Sequence, residues 1–163
     1  MNRKHTGLFA ILVLLFLGGC GNDSPLFNIV PEISFVSITP EVTPEGAEDG
    51  LKLVIHFQDG DGDLGQINSN DSLPNLYIRD TRSVVPDSLG TFAYMIPNLS
   101  PETRKPSIQG TIEVTMTAPY LTRTFIPPYI GPATEQVIFD IYLIDRAGNA
   151  SNHILSKPLT VNQ

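Results

Sequence analysis

The chain has 163 residues, with 17 Asp and Glu against 10 Lys and Arg, for a formal net charge of −7. That balance argues against nucleic acid and anionic lipid surfaces as partners, since both are recognised through a basic face. A single cysteine, Cys20, excludes an internal disulfide, so the fold must rest on its own apolar core.

In chain order, Arg3 and Lys4 come first, then the unbroken apolar run Leu8 to Leu17, then Gly18, Gly19 and Cys20. Ten apolar residues fall short of the about 20 that a spanning helix needs. A basic start, a short apolar core and small residues before a cleavage point read as a secretory signal. Leu17-Gly18-Gly19-Cys20 resembles the lipobox of bacterial lipoproteins. The resemblance implies cleavage after Gly19, a covalent lipid on Cys20 and an acylated new N-terminus; an ordinary signal peptide with an incidental Cys20 is the plainer reading. Several acyl chains hold a protein on a membrane durably, where one does not. Gly21 stands where an Asp would imply inner-membrane retention, so the resemblance implies the outer membrane, with its periplasmic and external faces both open.

Without residues 1–19, the 163-residue chain leaves 144, a single-domain length. Arg3 and Lys4 leave with the signal, so 8 of the 10 bases face all 17 acids, a net charge of −9. The acids crowd between Asp23 and Asp63, where Lys52 is the lone base, while the chain from Gln66 onward is nearly neutral. Residues 20–31 read as a lipidated cysteine and flexible tether, and 32–163 as one folded domain.

That domain reads as all β. Ile33–Thr39 is a first strand, closed by Pro40 and Pro44. Leu51, Leu53, Ile55 and Phe57 alternate with Lys52, Val54, His56 and Gln58, the period of a half-buried strand. Asn75–Asp80, Thr91–Ile96 and the series Ile108, Ile112, Val114, Met116 mark three more. Gln136–Ile144, with Val137, Phe139, Ile141 and Leu143 on one face, is the sixth, and Ile154–Val161 the last. Fourteen prolines and 13 glycines punctuate these runs, and nothing after the signal sustains a helical period.

About seven short strands over such a length predict an antiparallel β-sandwich of immunoglobulin-like or fibronectin type III-like order, with a jelly roll as the structural alternative. Phe139 to Ser151, with its Asp145-Arg146-Ala147-Gly148-Asn149 turn, resembles the penultimate strand and following loop of bacterial Ig-like and cadherin-like domains. The absence of Trp removes one hallmark of antibody-type domains.

Asp59-Gly60-Asp61-Gly62-Asp63 packs three carboxylates into five residues directly after the second strand. Like charges at about 4 Å cost roughly 1 kcal/mol per pair in water and several times more near a protein surface, unless a cation or water lies among them. If the second and sixth strands take the B and F places of an Ig-like sandwich, the loops after them emerge at one end. By register, Asp59 continues the inward series of its strand and Asp145 that of the sixth. In cadherin-like domains this end holds Ca²⁺. The resemblance therefore implies Asp59, Asp61, Asp63, Asp145 and Asn149 as calcium ligands, with Glu32 of the incoming chain as a further candidate. The loop departs from an EF-hand, since counting from Asp59 the sixth and twelfth places hold Leu64 and Asn70 where Gly and Glu are needed, with Gly65 and Asp71 each one residue late. The competing reading is a solvated turn, because Asp and Gly are favoured in turns for backbone reasons alone.

Other signals are sparser. No His-x-His spacing or second cysteine supports zinc, and no nucleophile elbow is present. Asp140 within the sixth strand calls for an arginine partner. Pro119 to Tyr129 is aromatic and Pro-rich; Tyr120, Phe125 and Tyr129 could form a ligand platform, or the segment could be a connection over the core. These features lead us to expect a non-enzymatic lipoprotein with a binding or adhesion domain, calcium-stabilised, meeting a glycan or another envelope protein. An accessory subunit of an envelope complex is the alternative, and a glycoside hydrolase would need two opposed carboxylates in a cleft.

Overall fold

The computed structural model describes residues 25–43, 50–66, 73–82, 90–100, 107–117 and 131–163. The signal segment, Cys20 and the 119–130 segment with Tyr120, Phe125 and Tyr129 lie outside them. Among the described residues the chain is all β, with no helix. Its strands are β1 Glu32–Thr39, β2 Leu51–Asp59, β3 Leu76–Asp80, β4 Thr91–Tyr94, β5 Ile108–Met116, β6 Thr134–Val137, β7 Phe139–Leu143, β8 Ile154–Leu155 and β9 Leu159–Asn162. They form antiparallel sheets in the orders β1-β2-β5, β4-β3-β7-β8 and β6-β9.

The period-2 pattern of β2 is realised along its whole length: Leu51, Leu53, Ile55, Phe57 and Asp59 are buried, and the residues between them are not. β5 runs beside it in unbroken register from Leu51↔Met116 to Asp59↔Ile108. Opposite Phe57 the partner strand has Gly110, where a Cβ would come 3.2 Å from the ring; the missing side chain is the space the ring occupies. On the other side β1 pairs with β2 through a bulge that leaves Val36 unpaired and exposed. The inward residues of these strands share one apolar core with Leu76 and Ile78 of β3, Phe139, Ile141 and Leu143 of β7, and Val137, Leu159 and Val161 of β6 and β9. Phe92 of β4 packs edge-on against Phe139 at 6.4 Å.

The expected sixth and seventh strands each divide in two, giving nine strands among the described residues instead of about seven. At the division Phe139 donates its N–H to the hydroxyl of Ser156 (2.9 Å), while Ser156 donates its own N–H to the carbonyl of Phe139 (2.9 Å). A side-chain oxygen thus replaces a ladder carbonyl. Two residues on, Pro158 has no N–H to continue the pairing. The chain re-forms its ladder as β6-β9, and β9 also bonds the segment after β1: Thr43 N–H to Thr160 carbonyl at 2.8 Å and Thr160 N–H to Glu41 carbonyl at 2.9 Å. Ser151 repeats the device at the other end of β7, accepting the N–H of Leu143 at 3.1 Å.

Because Leu53 is fully buried and Val36 sits on the exposed bulge, truncating each to alanine separates core from surface. Leu53→Ala is expected to lower the unfolding free energy by about 2–5 kcal/mol, and Val36→Ala to change it by less than about 0.5 kcal/mol. Urea denaturation of the two variants measures both, and equal losses would contradict the assigned faces of the β1-β2-β5 sheet.

Candidate metal centre

The inward register of β2 carries Asp59 into the protein interior, where it is 0% exposed. The chain then turns sharply. Gly62 and Gly65 adopt φ of 69° and 88°, in the left-handed region that favours glycine. The turn closes on Asp59 itself, whose Oδ2 accepts the backbone N–H of Asp63 at 2.8 Å. Leu64 is buried beneath the loop, and its carbonyl accepts the N–H of Leu99 at 3.3 Å.

The loop after β7 meets this one directly. The N–H groups of Arg146 and Ala147 donate to the Asp63 carbonyl (3.3 Å) and to Asp63 Oδ2 (3.0 Å). The Arg146 guanidinium donates to the carbonyls of Leu64 (3.3 Å), Gly65 (3.1 Å) and Gly62 (3.4 Å). A planar fork with five donors suits such a set of carbonyls. Sequence reading assigned Arg146 no role, because nothing in a single strand-loop pattern says which carbonyls a distant arginine will reach.

Asp59, Asp61 and Asp63 each bring one carboxylate oxygen to within 4.8 Å of the others, a group that could hold a metal ion. Two of its members have an oxygen with no donor among the described residues: Asp59 Oδ1 and Asp63 Oδ1, both buried. Burial is the main cause that raises the Asp59 carboxyl to a pKa of about 6, helped by the neighbouring charges of Asp61 and Asp63 and opposed by the Asp63 N–H. Asp63 is raised by burial and by the charges of Asp145 and Asp61, against the lowering effects of the Ala147 N–H and the Arg146 charge. All donors are oxygen, the chemistry of Ca²⁺ or another hard cation. Two oxygens about 2.4 Å from one Ca²⁺ can lie up to roughly 4.8 Å apart, so the spacing suits a shared ion.

Asp145 and Asn149 stand beside this group but face each other. Asp145 is buried, its Oδ1 accepts the Asn149 N–H at 2.7 Å, and its Oδ2 accepts the Asn149 side-chain amide at 2.8 Å. Together with the Gly148 N–H to Asp145 carbonyl bond at 3.2 Å, they make a self-closed turn. Asp145 reaches the acidic group through its charge on Asp63. Glu32 is exposed, opposite Gln58 in the β1-β2 register, and is not a member of the group.

A second constellation, absent from the sequence reading except for Asp140, lies on the outer face of the four-stranded sheet. Asp140 Oδ2 accepts from Arg79 Nη2 (2.8 Å), and its Oδ1 lies 2.9 Å from His153 Nδ1. Tyr77, Tyr142 and His153 stack in a row, with centroids 4.9 and 4.5 Å apart. The rings cover one another's faces, and the Tyr77 hydroxyl donates to the Pro74 carbonyl at 2.9 Å; this is a cross-strand ladder that holds the sheet together.

No protein-family model, curated protein or solved structure matches this chain.

The raised Asp59 pKa carries a sign. The folded state binds this proton more tightly than an exposed aspartate does, so the proton's contribution to stability is complete below about pH 3.8. It is lost as the pH rises through about 6. In EDTA, the protein is expected to melt at a higher temperature at pH 5 than at pH 7, and Asp59→Asn to reduce the difference. Differential scanning fluorimetry across that range checks it; a wild-type melting point lower at pH 5 than at pH 7 would count against a carboxyl strained by burial.

Proposed function

We propose that this chain is a non-enzymatic lipoprotein of the bacterial outer membrane, held by lipid on Cys20, and that it displays an Ig-like β-sandwich whose loop end is stiffened by Ca²⁺. The single observation that carries the calcium reading is the pair of buried, donorless oxygens, Asp59 Oδ1 and Asp63 Oδ1, in a group of three convergent carboxylates. A solvated turn would leave its carboxylates in water. Asp61 does reach water, but at Asp59 Oδ1 and Asp63 Oδ1 burial strips that water away and no donor among the described residues replaces it, a state that costs about 1–3 kcal/mol for each polar group and more for a charged one.

The Ig-like reading is supported by strand order. β1-β2-β5 and β4-β3-β7-β8 follow the A-B-E and C-F-G orders of such sandwiches, with β4 as an added edge strand beside β3. In this assignment the acidic loop is B–C and the Asp145 loop is F–G. A binding or adhesion role follows from a small domain on a membrane anchor with its loops at one end. Against hydrolysis, the three carboxylates converge on one point instead of flanking a bond from opposite sides.

At a hundredfold excess over its Kd, Ca²⁺ adds about 2.7 kcal/mol to a protein that binds it only when folded, which raises the melting temperature of a domain of this size by about 5–15 °C. Asp61→Asn combined with Asp63→Asn should remove that rise while leaving the EDTA-treated protein nearly unchanged. Asp145→Asn should diminish it by altering the field at Asp63. A flat melting curve and a flat calorimetric titration at millimolar Ca²⁺ would reduce the loop to a turn. For the anchor, Cys20→Ser should abolish labelling by a clickable fatty acid and release the protein from the membrane fraction; equal labelling of both forms would refute it.

A further inference from the structure

Gly60, between the first two carboxylates, is also the seat of the N-terminal arm. Its N–H donates to the Asn28 carbonyl at 2.8 Å, and its carbonyl accepts the Ser107 hydroxyl at 3.1 Å, while the same hydroxyl oxygen accepts the Leu26 N–H at 2.9 Å. A Cβ on residue 60 would run into the Phe27 carbonyl and come 2.6 Å from that of Asn28. The arm therefore lies flat on the loop backbone. Its far end is fixed, since Pro31 is buried and Ile33 exchanges two hydrogen bonds with the Asn152 side chain (2.8 and 2.9 Å). Its near end has little else to hold it: Leu26, Ile29 and Val30 are exposed, and of the arm's apolar side chains before Pro31 only Phe27 is half-buried.

We propose that a divalent cation on Asp59, Asp61 and Asp63 straps the arm, residues 26–31, onto the loop, so that the cation sets the direction in which the chain leaves the domain toward its N-terminus. The inference rests on the calcium reading above and adds a mechanical consequence to it. Without a cation, the three carboxylates repel across a few ångströms and the loop relaxes by moving them apart. Gly60 is covalently part of that movement, and the Asn28 and Ser107 bonds need its N–H and carbonyl in one place. With a cation the loop has one conformation, and the arm's few hydrogen bonds suffice against the entropy of ordering it. The coupling is reciprocal: whatever loosens the arm weakens the cation by the same factor.

Ser107 separates the two ends of this coupling, because it bonds the arm and the Gly60 carbonyl without belonging to the carboxylate group. Hydrogen exchange read by mass spectrometry on the purified full chain in detergent, in CaCl₂ and in EDTA, tests it beside a calorimetric Ca²⁺ titration. The expected result is about tenfold slower exchange of the Leu26 and Gly60 amides in Ca²⁺, with the β2-β5 amides unchanged. Ser107→Ala should abolish the slowing at Leu26 and weaken Ca²⁺ by about two- to fivefold, and Ser107→Thr, which keeps the hydroxyl, should restore both. Calcium binding with unaltered exchange in the arm overturns the strap and leaves the cation site standing. No calcium binding at all overturns both.

Discussion

The carboxylate of Asp59 lies in the interior because β2 is a strand of strict alternation, and the strand's next inward place falls on residue 59. Period 2 is a property of the backbone and does not consult the chemistry of the side chain it delivers. One oxygen is answered by the Asp63 N–H and the other by nothing among the described residues. A stability of about 5–15 kcal/mol for a whole domain leaves little room for a desolvated, unpaired charge. The loop, the neighbouring turn and the arm all have to be understood around that requirement.

The protein surrounds the group with backbone instead of countercharge. Arg146, which contributes a favourable field at Asp63, spends its donors on three loop carbonyls. An arginine placed in bidentate contact with Asp59 or Asp63 would have neutralised the group internally. Bonded to carbonyls, it ties the loop backbone to the turn after β7 while giving the buried oxygens no donor. The Asp145–Asn149 turn works in the same way. By satisfying its own carboxylate, it presents N–H groups of residues 146 and 147 to Asp63 from a rigid frame.

The four-stranded sheet shows the opposite treatment of a buried acid. Asp140 is on the outer face of β7, where Arg79 and His153 reach both its oxygens, and His153 is itself held in the stacked row of Tyr77 and Tyr142. Two aspartates in strands of similar composition therefore serve different ends. The one with charged cross-strand partners braces a sheet, and the one at a strand's end, where its cross-strand neighbour is the apolar Ile108, meets a loop of its own sign.

The all-β class, the buried faces of β2 and β7 and the inward placement of Asp59 and Asp145 were legible in the sequence, because they follow from alternation between neighbours along one chain. So was the need of Asp140 for an arginine, since a carboxylate inside a strand must be paired. The division of two expected strands into four was not legible, because it depends on Ser156 and Pro158 meeting Phe139 across a distance of 17 residues for the serine. Nor were the roles of Arg146, Ser107 and the Leu26–Asn28 arm, whose partners lie 32 or more positions away and are brought close only by the pairing of distant strands and the packing of sheets. The sequence by itself determined which residues are buried and which charges crowd together, since both are local properties. Only the tertiary structure decided that Asp145 turns to Asn149 while Asp59 and Asp63 each keep a buried oxygen without a donor, because hydrogen-bond satisfaction is a property of the whole surrounding shell.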